Sequence, residues 1–141
     1  MPFDYRDVTV CVTYDVPYVG GYSNDGKVIY LDRDLPERMR TTTGKVFDPR
    51  TYLIIHESVE AMLIHRLGIA FNEAHTIALG AEMAALQKDG VPIDEYYAFI
   101  YRHVEKKLKA EAVVSPPYDL DLKPYIEDGL MDIVLAIRRN Q

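Results

Sequence analysis

Two long apolar segments, residues 50–66 and 72–88, constrain the fold more than any other feature of the 141-residue chain. Asp48-Pro49 sets an N-cap and a first-turn proline before the first segment, and Gly68 supplies its stop. Gly90 closes the second, which carries Gly80 in its interior at a cost of about 1 kcal/mol relative to Ala. The connection is short, so the two helices are expected to pack antiparallel.

Both helices carry polar residues on faces that should be buried. His56 and Glu60 differ by about 40° around the helix axis and stand one turn apart. Glu57 lies about 100° from His56, at the shoulder of that face. On the second helix His75 and Glu82, seven residues apart, share a face within roughly 20°. His65 falls about 180° from His56 and is read as a partner of the helix C-terminus. Two imidazoles and up to three carboxylates between helices would be costly to bury without compensation. One compensation is mutual hydrogen bonding, with His56 paired to Glu60 or Glu82. The other is a divalent metal, since imidazole and carboxylate suit zinc and other borderline ions. His56, Glu60 and His75 would then be ligands and Glu57 the general base. Glu82 would be a fourth ligand or the acceptor that orients His75.

The rest of the chain reads as a small β portion over about 8–32, a third helix over about 94–109 and an extended segment over 113–141. Val8, Val10 and Val12 alternate with polar residues as in a strand. Lys27–Asp32 (KVIYLD) reads as a second strand, and Ser23-Asn24-Asp25-Gly26 invites an antiparallel hairpin. Residues 37–48 read as a loop, and Leu130–Ile137 as a short helix or a strand. The third helix places Tyr97, Ile100, Tyr101, Val104 and Leu108 on one side. These elements give an α+β class: an N-terminal antiparallel hairpin or small sheet packed on three main helices, in one domain. The net charge of −6 argues against a broad nucleic-acid surface, and the single Cys11 against a disulfide or a cysteine zinc site. No apolar run reaches the ~20 residues of a membrane span. The N-terminus MPFDYRDVTV lacks a basic, signal-like start, so a cytoplasmic location is expected.

His56-Glu57-Ser58-Val59-Glu60 resembles the HExxH helix of zinc metallopeptidases of the zincin class, with Glu60 in place of the second histidine. The strand Lys27–Asp32 resembles the edge strand that aligns an extended substrate above the metal in those enzymes. The helix bearing Ala74-His75 and Ala81-Glu82 resembles the one that supplies their third ligand. Over residues 18–88 the chain is similar to small bacterial and phage proteins that combine HExxE with such a helix. The resemblance implies zinc held by His56, Glu60 and His75, Glu57 as catalytic base, and a peptide or protein substrate. A glutamate ligand adds negative charge and weakens the pull of the ion on its water.

Two other classes fit the same residues. One is a helical phosphohydrolase using Mg²⁺ or Mn²⁺ on Glu57, Glu60 and Glu82. The other is a non-catalytic interaction domain whose polar cluster fixes helix register, with the hairpin edge recruiting a peptide. Tyr18, Tyr22 and Tyr30 are candidates for a substrate groove, and the tyrosine-rich third helix is a candidate homodimer surface. His103, among Arg102, Lys106 and Lys107, reads as a surface residue, and Cys11 as a buried thiol.

Overall fold

The computed structural model describes residues 8–141; the first seven residues of the N-terminal segment lie outside it. Three strands, β1 (Thr9–Cys11), β2 (Gly20–Tyr22) and β3 (Val28–Leu31), form a sheet in the order β1-β3-β2. The hairpin forms at the Ser23–Gly26 turn, with Gly20 opposite Leu31, Gly21 opposite Tyr30 and Tyr22 opposite Ile29. Strand β1 joins the other side of β3 in parallel, so β3 is central and β2 is an edge. The expected edge strand over 27–32 is therefore corrected. Gly20 and Gly21 build the edge, because pairing with β3 outweighs their weak strand propensity.

Residues 37–48 contain a two-stranded ladder, β4 (Met39–Arg40) with β5 (Val46–Phe47), in place of a loop. Helix α1 (Arg50–His65) follows, and Asp48 caps it by accepting the Arg50 backbone N–H at 2.9 Å. Gly68, at φ 65°, reverses the chain into α2 (Phe71–Lys88), a left-handed position that glycine occupies without strain. Helix α3 spans Ile93–Lys107. The segment from residue 113, expected to be extended, holds α4 (Lys123–Glu127) and α5 (Met131–Asn140). Prolines 116 and 117 break only its start, and the apolar spacing of Ile133, Val134 and Ile137 buries one face of α5.

Alternation along β3 divides the interior. Ile29 and Leu31 pack with Tyr52, Leu53, Leu86, Tyr96 and Ile100, residues of α1–α3. Tyr30 turns the other way, into a second cluster with Val16, Leu120, Tyr125, Val134 and Ile137. The chain between α3 and α5 lies along the free edge of β2: Asp121 N–H donates to Tyr22 O at 2.8 Å, and Asn24 N–H to Asp119 O at 2.8 Å. No helix among the described residues is long and apolar enough to cross a membrane.

The buried side of α3 carries Tyr96, Ile100, His103, Val104 and Lys107, whereas Tyr101 and Leu108 are exposed. The His103 reading is thus corrected: its Nε2 lies 2.7 Å from Asp32 Oδ2, in the interior. Cys11 is half-buried, with Sγ 3.3 Å from Thr13 Oγ1.

Candidate metal centre

Helices α1 and α2 present their polar faces to each other. His56 on α1 meets Glu82 near the end of α2, and Glu60 meets His75 near its start, which is the pairing of antiparallel helices. His56 Nε2 lies 3.1 Å from Glu60 Oε2, and His75 Nδ1 lies 3.0 Å from the same oxygen. One donor atom from each of His56, Glu60 and His75 falls within 4.8 Å of the others. Bonds of about 2.0–2.1 Å in a tetrahedral zinc site set ligand atoms about 3.3 Å apart, close to the two distances from Glu60 to the imidazoles. The three side chains therefore form a cluster capable of holding a divalent ion.

The surroundings fix these groups. His56 Nδ1 lies 2.9 Å from Glu82 Oε1, and the Tyr96 hydroxyl donates to the other Glu82 oxygen. Glu82 thus orients His56, one of the two partners the sequence allows it, rather than His75. The Tyr22 hydroxyl donates to Glu60 Oε1 at 2.9 Å, leaving Oε2 toward the imidazoles. His75 is the exposed member, with 43% of its side chain accessible and its ring stacked on Phe71 at 5.5 Å.

Glu57 differs from its neighbours. It is 8% exposed, yet no described residue donates a hydrogen bond to its carboxylate. Gly20 passes directly over it: a Cβ there would lie 3.2 Å from Glu57 Oε1. Burial pushes the Glu57 carboxyl well above the usual range, and the charge of Glu60 adds to that, against His56. For Glu60 burial acts in the same sense but loses to hydrogen bonds from His56, His75 and Tyr22, which hold it below the usual range. Burial would lower His56, but Glu60 and Glu82 outweigh it and raise the imidazole to about 10. One buried carboxylate is thus primed to accept a proton while the adjacent one stays ionised.

Apart from the Tyr96 hydroxyl, these groups line one cleft of about 290 Å³, between β2, the three long helices and α4. Tyr18 and Tyr22 line it as well. Tyr30 does not, because strand alternation sends it to the opposite face, where its hydroxyl donates to Asp119 at 2.5 Å. His65 also stands apart, at the C-terminal turn of α1 and 3.3 Å from Asp121. Sequence reasoning missed Tyr125, Asp121 and Asp128, which line the cleft from the far end of the chain. The only local signal was the acidic, proline-punctuated composition of residues 119–124. Compared with family models, characterised proteins and solved structures, the chain matches none.

A second group of carboxylates, Asp15, Asp32 and Asp34, also converges closely enough for a metal. Lys107 Nζ fills that position, at 2.8, 3.1 and 2.8 Å from the three side chains. The lysine amine serves there as a built-in cation, tying α3 to the loops that flank the sheet.

Proposed function

We propose that the protein is a zincin-like metal-dependent hydrolase that cleaves an amide bond. His56, Glu60 and His75 hold the ion, and Glu57 is the general base. The observation that carries this reading is the Glu57 carboxylate, largely buried, facing the cleft and without a donor among the described residues, beside three converging ligand atoms. A structural role leaves such a carboxylate unexplained, because a buried polar group normally has a partner. A water between Glu57 and the ion would supply one.

The ion would contribute Lewis acidity, polarising a water and a substrate carbonyl. Glu57 takes the proton of the attacking water and delivers it to the departing amine. Glu82 holds the His56 ring so that Nε2 faces the site, and Tyr22 does the same for Glu60. Two imidazoles favour zinc over Mg²⁺ or Mn²⁺, which prefer all-oxygen shells.

The test is elemental analysis of protein purified without a metal column or chelator, beside His56→Ala and Glu57→Gln. The expected result is about one zinc per chain, lost in His56→Ala and kept in Glu57→Gln. Amide hydrolysis should fall about 10²–10⁴-fold in Glu57→Gln. Two Mg²⁺ or Mn²⁺ ions per chain would replace this reading with the phosphohydrolase. No metal after adding back all three ions would leave the cluster as a buried ion network that fixes helix register.

A further inference from the structure

We infer that the cleft takes a small molecule with a cationic amine on an apolar body, and that it excludes both extended polypeptides and phosphate esters. The inference deepens the hydrolase reading and rests on it for the reacting group. It comes from three features of the cleft that the metal cluster does not use.

The first is the edge of β2. An extended peptide aligned over the site would have to hydrogen-bond to the outward backbone groups of this strand. The carbonyls that face outward are taken: Tyr22 O accepts the Asp121 N–H at 2.8 Å, and Gly20 O accepts the Tyr125 hydroxyl at 3.0 Å. Ser23 also bridges antiparallel to Leu120. The protein's own chain thus runs where a substrate strand would lie. His65 holds it to α1 through Asp121 at 3.3 Å, and Tyr18 holds it to the strand by stacking on Tyr125 and donating to Asp128 at 3.3 Å.

The second feature is charge. Glu57, Glu60, Glu82, Asp121 and Asp128 line the cleft, together with His56 and His75, and no lysine or arginine does among the described residues. A bound divalent ion would still leave carboxylates in excess. A phosphate or carboxylate substrate would enter against that charge, whereas an ammonium group would be drawn to it.

The third is shape. Leu79, Tyr97, Ile100, Tyr101 and Val104 of α2 and α3 supply a helical wall of the cleft. At about 290 Å³ the cleft lies at the small end of ligand cavities, which run roughly 300–1,000 Å³. It suits one aromatic or branched group rather than a row of side chains. Asp121 and Asp128 recognise the ammonium, the helical wall takes the apolar group, and Glu57 stays free for water.

The test is a titration of the isotope-labelled, metal-stripped full chain, followed by amide and ring resonances. The probes are 2-phenylethylamine, phenyl phosphate and a blocked hexapeptide of alternating valine and threonine. Saturable shifts at Gly20, Glu57 and Tyr101 are expected with the amine alone, weakened about tenfold in the Asp121→Asn/Asp128→Asn double variant. Equal or tighter binding of phenyl phosphate overturns the inference, as does an unchanged amine affinity in that variant. Peptide-induced shifts along Gly20–Tyr22 and Asp119–Asp121 would also overturn it, by showing that the covering chain yields to a substrate strand. Zinc added to the same sample separates the two claims. Zinc shifts at His56 and His75 without amine binding overturn only the substrate class, and amine binding without a zinc response overturns only the hydrolase reading.

Discussion

Three glutamates within one shell of the cleft have three different surroundings, and their roles follow from those surroundings. Glu60 receives hydrogen bonds from Tyr22 and faces two imidazoles, so it stays charged and can ligate an ion. Glu82 is fully engaged between His56 and Tyr96 and can only orient. Glu57 has burial without partners and is left to accept a proton. Glu82→Gln should therefore weaken metal affinity about 10–100-fold while the chain stays folded, since the amide holds His56 less firmly. Competition against a chelator of known affinity measures this, and an unchanged constant would remove Glu82 from any part in the site. The i,i+4 and i,i+7 spacings made the shared faces of His56 with Glu60 and of His75 with Glu82 legible in the sequence. Whether Glu82 meets His56 or His75 was not legible, because it depends on how far α2 is offset along α1.

At the scale of elements, the edge strand decides the character of the site. Gly20 and Gly21 let β2 approach Glu57 and Tyr125 more closely than any side chain would allow. A Cβ at Gly21 would overlap the Tyr125 hydroxyl and touch Leu120 at 3.0 Å. Gly21→Ala should destabilise the protein by about 1–3 kcal/mol through overpacking. Combined with Tyr125→Phe, which removes the overlapped hydroxyl, it should cost less than the two single changes together. Urea unfolding of the four proteins checks this, and strict additivity would show that β2 moves away freely. Just before the strand, Tyr18 adopts φ 60°, a left-handed conformation unusual for a bulky residue. Its stacking on Tyr125 and its bond to Asp128 hold it there. Nothing in the sequence near the glycine pair named the tyrosine more than a hundred residues away.

The whole molecule is held by two buried charge clusters of opposite design. Around Asp15 the cation is built in: burial alone would raise the Asp15 carboxyl, yet Lys107 and the backbone N–H groups of Ser115 and Val114 hold it below 3.8. Around His56 the cation in the metal-free chain is the imidazole itself. The two clusters predict a stability profile with two flanks. Asp15 contributes stability above its ordinary pKa of 3.8, and this is lost as pH falls through its depressed folded value. His56 contributes fully below 6.5, and this is lost as pH rises through about 10. Glu57, protonated in the folded state beyond its ordinary 4.5, adds to the decline from that pH upward. Metal-stripped protein should therefore lose stability on both the acid and the alkaline side. Zinc, which takes the place of the His56 proton, should flatten the alkaline flank. Urea midpoints at pH 3, 5, 7 and 9, with and without zinc, test it; equal midpoints at pH 5 and 9 for the stripped protein would contradict it.

The sequence by itself determined the long helices, the hairpin turn and the HExxE face, because these rest on spacing along one chain and on local turn chemistry. Periodicity fixed which residues of α1 look the same way, and Gly68 fixed where the helix ends. Only the tertiary structure decided that β2 rather than β3 forms the edge, since edge and centre are properties of a sheet order and not of a strand. It alone decided that His103 and Lys107 are interior: a basic run reads as solvated until three aspartates from other segments converge on it. It also decided that residues 119–128 close the cleft. Their burial depends on contacts with β2, about a hundred residues earlier in the chain, and with α1, about sixty residues earlier.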